Sequence, residues 1–323
     1  MGPMTNRTTQ GVALGFSSFA LFSLSDASVK LIAGAIPPIQ SAFIGALFGL
    51  LVLPFLLQSG EHLTDVVRTV NRPLWLIRFF AYPAGVIGSV TAFTHLSMSE
   101  AMVLMFLQPA FVTVLSIFFL KEKVGIQRWL AILIGFVGVL VVLRPGFREL
   151  SIGHLGAIIA GLGGAISIVV FRALGEKEKK VSLVGAGLLG AVVICGLLGI
   201  QGFTVPDLNQ LLLLAGYGLL AALANILTSK ASTMAPATLV GATQYGQMIW
   251  AIILDDFLFA LRPDGPMLIG SLFILVSGGL TIIRERYHNH PWSPPLGGEK
   301  AAAAILQHRA ARDTSCPAGS RTH

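Results

Sequence analysis

The chain has 323 residues, 54% of them hydrophobic and only 11% charged, with a mean hydropathy of +0.79. Soluble domains carry about 25% charged residues, so this composition excludes a protein whose surface mostly faces water. The net charge of +7 does not point to nucleic acid either, because the basic residues sit in short segments between apolar runs rather than on one polar face.

Crossing a bilayer core of about 30 Å takes about 20 helical residues at about 1.5 Å each. Ten stretches meet that requirement: 11–34, 38–58, 75–95, 99–120, 128–144, 153–173, 182–201, 208–229, 237–259 and 266–284. The first begins just after Arg7, is too long for the core of a signal peptide, and reads as a retained span. Asp26 and Lys30 lie four apart within it and share a helical face. Two readings stay open for them. One is an ion pair near the outer end, with Lys30 reaching for the headgroups. The other places Asp26 at a cavity edge, where it titrates as substrate or a proton moves.

Ile36-Pro37-Pro38 separates the first two spans and Asn71-Arg72-Pro73 precedes the third. Arg78 follows, either lining an inner vestibule or snorkelling to the surface. His95 and Glu100 flank a tight turn into the fourth span, as candidates for a gate or for a hydrogen bond across the turn. Pro109 in that span removes a backbone bond and opposes the preceding turn, so it predicts a bend or hinge. Lys121-Glu122-Lys123, Arg144-Pro145-Gly146 and the segment from Glu176 to Lys180 mark later breaks. The glycine clusters Ala160–Gly164 and Gly185–Gly190 suit close helix packing and lack the flanking signals of phosphate loops. His62 and His154 read as uninformative loop residues. In the ninth span, Asp255 and Asp256 are adjacent. Helical geometry puts Asp256 within about 20° of Tyr245 and Asp255 within about 20° of Gln244, so one of the two acids faces inward, unless both are solvated at the interface.

Cys195 lies in an apolar run and Cys316 in the polar tail, so no disulfide is expected. No metal-ligand spacing occurs, and neither a metal nor a cofactor is expected. Residues 287–323 are expected to be a disordered cytoplasmic tail with one short helical candidate, Lys300–Ala311.

Orientation follows from Lys and Arg in alternate loops. One side holds Arg7, Arg68, Arg72, Lys121, Lys123, Arg128, Arg172, Lys177, Lys179, Lys180, Lys230, Arg284 and Arg286, and the other only Arg144, Arg148 and Arg262. Both termini are therefore expected in the cytoplasm.

Phe106-Leu-Gln108-Pro109-Ala-Phe111 aligns with Tyr245-Gly-Gln247-Met248-Ile-Trp250 at a spacing of 139, which also pairs Ala92 with Ala231 and Ser99 with Thr238. Gly138 pairs with Gly278 after one inserted residue, and Lys30 with Arg172 at 142. Five spans per half is odd, so the second half enters the membrane from the opposite side: an inverted repeat. The expected organisation is an N-terminal segment 1–10, a first five-helix repeat 11–146 and a second 147–286, before the tail. Met248 stands where Pro109 does, so the ninth helix is expected to run without a break.

Leu96-Ser-Met-Ser-Glu100-Ala101 through Gln108-Pro109-Ala-Phe111, Leu120-Lys-Glu122-Lys-Val-Gly125, Gly135-Phe-Val-Gly138 and Arg144-Pro145-Gly146 resemble the EamA-type ten-helix members of the drug/metabolite transporter superfamily. Tyr245-Gly-Gln-Met-Ile-Trp250-Ala251 and Asp26-Ala-Ser-Val-Lys30 are similar to the same proteins. The chain departs from their pattern at Ile44-Gly45, where an arginine is usual, and at Asp255-Asp256, near which a glutamate is usual. The resemblance implies an all-α integral membrane fold of two inverted five-helix repeats. It also implies carriage of metabolites, amino acids, nucleoside-like compounds or drugs across a bacterial inner membrane.

In that setting Phe106, Gln108, Tyr245, Gln247 and Trp250 are the candidate substrate-binding residues. Asp26, Lys30, Arg78, Asp255 and Asp256 are the candidates for coupling and gating. The leading reading is a secondary carrier working by alternating access on a small-molecule substrate within the lipid bilayer, with protons as one possible coupling ion and a homodimer as one possible assembly. The competing reading is a membrane-embedded sensor or enzyme. Seven scattered histidines and a short tail provide neither metal chemistry nor a signalling domain.

Overall fold

The computed structural model describes residues 6–57, 62–121, 124–144, 150–174, 178–234, 240 and 243–287. The segments around Glu122–Lys123, Pro145–Arg148 and Glu176–Lys177, most of the start of the ninth span, and the tail with its helical candidate lie outside the described residues. Every regular element among the described residues is helical. In chain order these are α1 (Asn6–Lys30), α2 (Pro38–Leu50), α3 (Arg72–His95), α4 (Met98–Met105), α5 (Gln108–Leu120), α6 (Ile126–Leu143), α7 (Ile152–Leu174), α8 (Lys180–Gly199), α9 (Leu208–Met234), α10 (Gly246–Phe259) and α11 (Gly265–Tyr287).

By length and composition, α1, α3, α7, α8, α9 and the α4–α5 pair taken together can each cross a membrane, with α2, α6 and α11 as shorter apolar helices. With α10 they make ten spans, two sets of five in opposite senses. Residues 1–284 form one compact unit, and of the second unit, 285–323, only the last turn of α11 is described.

Local chemistry sets the helix ends. Asn71 caps α3 by accepting from the Leu74 N–H at 3.3 Å, with Pro73 in the first turn, where its missing donor costs nothing. Ser97 caps α4 by accepting from the Glu100 N–H at 3.1 Å. The helix of the second span stops at Leu50, short of the expected 58. Pro54 cannot donate and its ring opposes the Leu50 carbonyl, so the chain tightens into a 3-10 turn, Leu53–Leu56.

The fourth span breaks as its proline predicts: α4 ends at Met105, Phe106 and Leu107 form a turn, and Pro109 sits in the first turn of α5. The expectation of an unbroken ninth helix is overturned. Gln244 and Tyr245 form a turn there too. α10 begins at Gly246, and in its first turn the N–H of Gln247 bonds back to Gln244 O at 2.9 Å and that of Met248 to Tyr245 O at 3.2 Å. No proline is needed, because glycine is a weak helix former and Tyr245 is committed to a contact in the other half.

The two broken spans also end alike. Lys121 and Ala260, which are repeat mates like Phe106 and Tyr245, adopt left-handed conformations (φ 54° and 51°) and terminate α5 and α10. The two most extensive helix pairings are α3 with α7 and α1 with α9. In span numbers these are three with six and eight with one, so each is the repeat counterpart of the other. In the first, a Cβ added to Gly163 would lie 2.8 Å from Gly85 Cα, so the two backbones touch.

Candidate functional site

At the centre, the ring of Phe106 stacks on that of Tyr245 with centroids 5.4 Å apart and an interplanar angle of 9°. The two residues are repeat mates, and each lies at the break of its own span. A small cavity of about 60 Å³ beside them is lined by Phe106, Pro109, Thr113, Tyr245 and Ser277, among others. Gln247 Nε2 donates to Asp26 Oδ2 at 3.1 Å, and the Ser23 hydroxyl donates to the Gln247 carbonyl at 3.5 Å. Gln108 is half-buried and lies against α7 at Gly164. The two glutamines, on the fourth and ninth spans beside the aromatic stack, thus rest against counterpart helices, Gln247 against the first span and Gln108 against the sixth.

Several expected placements are corrected. Asp26 and Lys30 form no ion pair with each other. Lys30 Nζ donates to the carbonyls of Phe93, at 3.3 Å, and Leu96, and lies 5.1 Å from the centre of the Phe259 ring. Carbonyls at the end of α3 have no partner within the helix, and the negative end of its dipole draws the ammonium, which leaves Asp26 to Gln247. Trp250 does not join the stack. It is 39% exposed and shares the outward face of α10 with Ile249, Ile253 and Phe257.

Asp255 and Asp256 separate completely. Asp255 is 1% exposed and caps α4: its carboxylate accepts from the N–H of Met98 at 2.9 Å, the N–H of Ser99 at 2.7 Å and the Ser99 hydroxyl. It is therefore no solvated interfacial acid. Asp256 has an exposed side chain 3.6 Å from Arg262.

Arg78 does not snorkel. It is buried, donates from Nε to Leu183 O, and has its guanidinium 4.3 Å from the ring of Phe171 and 5.6 Å from that of Tyr82.

Packing also places His95 and His154, and two tyrosines, Tyr82 and Tyr217, that carry no motif. His154 is no loop residue: it is buried in the first turn of α7. Its Nδ1 accepts from the Ser151 N–H at 2.9 Å, and Nε2 faces Glu100 Oε1 at 3.5 Å. His95 turns instead to the Thr91 carbonyl and the Thr94 hydroxyl. Tyr82 and Tyr217 are half-buried on α3 and α9. A Cβ on Gly187 would lie 2.7 Å from the Tyr82 ring, and one on Gly45 would collide with Tyr217. Gly45 and Gly187 stand at the same spacing as Lys30 and Arg172, and that match was the available signal.

The ends of the bundle are tied across the halves. At the Lys30 end, Asp255 caps α4, His154 meets Glu100, Arg144 pairs with Asp264, and Gln40 exchanges two hydrogen bonds with Thr204. At the Arg72 end, Asp65 pairs with Lys179 at 2.6 Å, and Glu178 accepts from the Thr69 hydroxyl and the Val70 N–H, both at 2.8 Å. The hydrogen bond from Lys179, helped by the His62 N–H, holds Asp65 below the ordinary carboxylate range. That clasp is therefore intact above the usual carboxylate pKa and released only as pH falls through the lowered value. A cavity of about 820 Å³ opens there, lined by Asp65, Arg68, Arg72, Trp75 and Glu178, among others, between surface loops and away from the stack. Among the described residues no group of three or more His, Cys, Asp or Glu is placed to hold a metal ion.

Residues 9–144 match the EamA-like transporter family. The first half is an EamA-like domain. The resemblance to the drug/metabolite transporter superfamily stands. The chain is similar to an S-adenosylmethionine uptake transporter of Rickettsia bellii, 26% identical over 86% of this chain and 96% of the relative. It is also similar to a riboflavin transporter of Vibrio cholerae (27%, covering 68% and 70%) and a pseudopaline exporter of Pseudomonas aeruginosa (24%, covering 83% and 94%). A crystal structure only 18% identical aligns with a TM-score of 0.61 over 87% of this chain and 99% of the other, which bears on the fold alone.

Proposed function

We propose that the protein is a secondary transporter that moves a small organic metabolite across a bacterial inner membrane by alternating access, with both termini in the cytoplasm. The halves 11–146 and 147–286 rock about the contact of Phe106 with Tyr245, the observation that carries the reading. An aromatic pair made of repeat mates, each at a helix break, sits where a shared midplane site belongs. Gln108, Gln247 and Asp26 supply polar contacts around it. Asp26 has a neutral amide as its partner and is the group through which a proton exchanges with substrate. Asp255 latches the outer end, Lys30 ties α1 to the same end, and the break before Pro109 works as a hinge. Relatives named for uptake and for export support the carrier chemistry and leave the direction to experiment. The protein acts as a carrier and catalyses no bond-making step.

The test is counterflow in proteoliposomes loaded with labelled S-adenosylmethionine, riboflavin or amino acids. At least one is expected to exchange, and Phe106→Ala or Tyr245→Ala to slow it by up to about tenfold, the worth of an aromatic pair of about 0.5–1.5 kcal/mol. Tight binding of a solute with no movement of any would replace the carrier with a sensor.

A further inference from the structure

Arg78 is the one buried candidate charge that neither the central stack nor the two tied ends employ. It lies about one and a half turns into α3, 5% exposed, yet its Nη1 is enclosed without a hydrogen-bond partner among the described residues. Nε alone is committed, to Leu183 O, and the rest of the cation rests on the rings of Phe171 and Tyr82. No carboxylate among the described residues pairs with it. A cation left this way inside a span is costly unless something anionic completes it. Its neighbours lead towards the centre. Tyr82 lies one helical turn further along α3, about 6 Å. Tyr217 hydrogen-bonds to Ser89, about two turns beyond Tyr82 on α3, and its carbonyl accepts at 2.7 Å from the hydroxyl of Ser25, the residue before Asp26. Arg78, Tyr82, Tyr217 and Asp26 with Gln247 thus form a polar ladder, cationic at one end and anionic at the other, with phenol rings between.

We propose that Arg78 is the anion-binding end of the solute site and that the cargo is amphoteric. An acidic group, of which a carboxylate is the simplest, meets Arg78 Nη1. A cationic or hydrogen-bond-donating group meets Asp26 and Gln247, and the flat middle of the solute lies along Tyr82 and Tyr217. This rests on the carrier reading and adds the substrate's charge pattern to it.

The probe is the cell's own metabolite pool, compared inside and outside cells producing wild-type protein, Arg78→Gln, Arg78→Lys or Phe171→Glu at matched membrane levels. Every compound whose partition shifts with the wild type is expected to carry an acidic group. Arg78→Gln is expected to reduce those shifts about tenfold or more, and Arg78→Lys less. Phe171→Glu sets an internal carboxylate against the guanidinium. It is expected to abolish transport while leaving thermal unfolding at or above the wild-type temperature, which a purely structural arginine would not produce. It also decides the matter if Arg78→Gln fails to fold. Cargo without an acidic group, or wild-type transport by Arg78→Gln or by Phe171→Glu, overturns the proposal and leaves the carrier intact. A wild type that shifts no compound at all removes the carrier reading itself.

Discussion

Asp255 and Ser116 occupy corresponding places in the two repeats, one near the end of α10 and the other near the end of α5. Asp255 reaches into the other half and takes up two N–H groups and a hydroxyl at the start of α4. Ser116 is as deeply buried, and its hydroxyl has no partner among the described residues. A repeat that matches its halves in helix pairing, in helix breaks and in helix termini therefore differs at the latch. The backbone kept the symmetry. The side chains that close the two ends did not.

The most demanding test of that difference is stability. Asp255→Ala strands the donors of Met98 and Ser99 and is expected to cost about 3 kcal/mol, the joint effect of lost buried bonds and a lost cap, read as thermal or denaturant unfolding in detergent. Ser116→Ala is expected to change stability by less than about 0.5 kcal/mol. Equal losses at the two positions would erase the asymmetry.

A smaller effect is expected at the hinge. The break in the ninth span forms without proline, so Pro109→Ala should leave the fourth span broken and alter stability by less than about 1 kcal/mol. Met248→Pro removes the 3.2 Å bond from the Met248 N–H to Tyr245 O, in a first turn that tolerates proline, and should cost only about 1 kcal/mol. Loss of fold in Met248→Pro would show that the two breaks are not equivalent. A continuous fourth helix in Pro109→Ala, seen as new amide protection at Phe106 and Leu107, would show the same.

The smallest effects belong to the two left-handed helix ends. Lys121→Gly and Ala260→Gly each relieve a side chain at positive φ and are expected to stabilise by up to about 1 kcal/mol, with the two gains alike. A gain at one end only would mean that the repeat is matched less closely at its termini than its dihedrals indicate.

The linear order of residues was enough for the ten spans, because lipid leaves the backbone no solution but a helix and demands a minimum apolar length for each. It was enough for the inverted repeat too, since a motif recurring at a constant offset is linear information, and for the place of the break before Pro109, since proline favours the first turn of a helix whatever precedes it. What the buried polar groups do was settled by packing. Asp26 looked like the partner of Lys30 four positions away and bonds to Gln247 in the other half instead. Helical geometry left open which of Asp255 and Asp256 faces inward, if either does; Asp255 caps a helix in the other half, while Asp256 stays in solvent. Helical spacing says which residues share a face. It cannot say what that face meets, and the cost of leaving a donor or a charge unpaired is decided across the interface, between residues far apart in the chain.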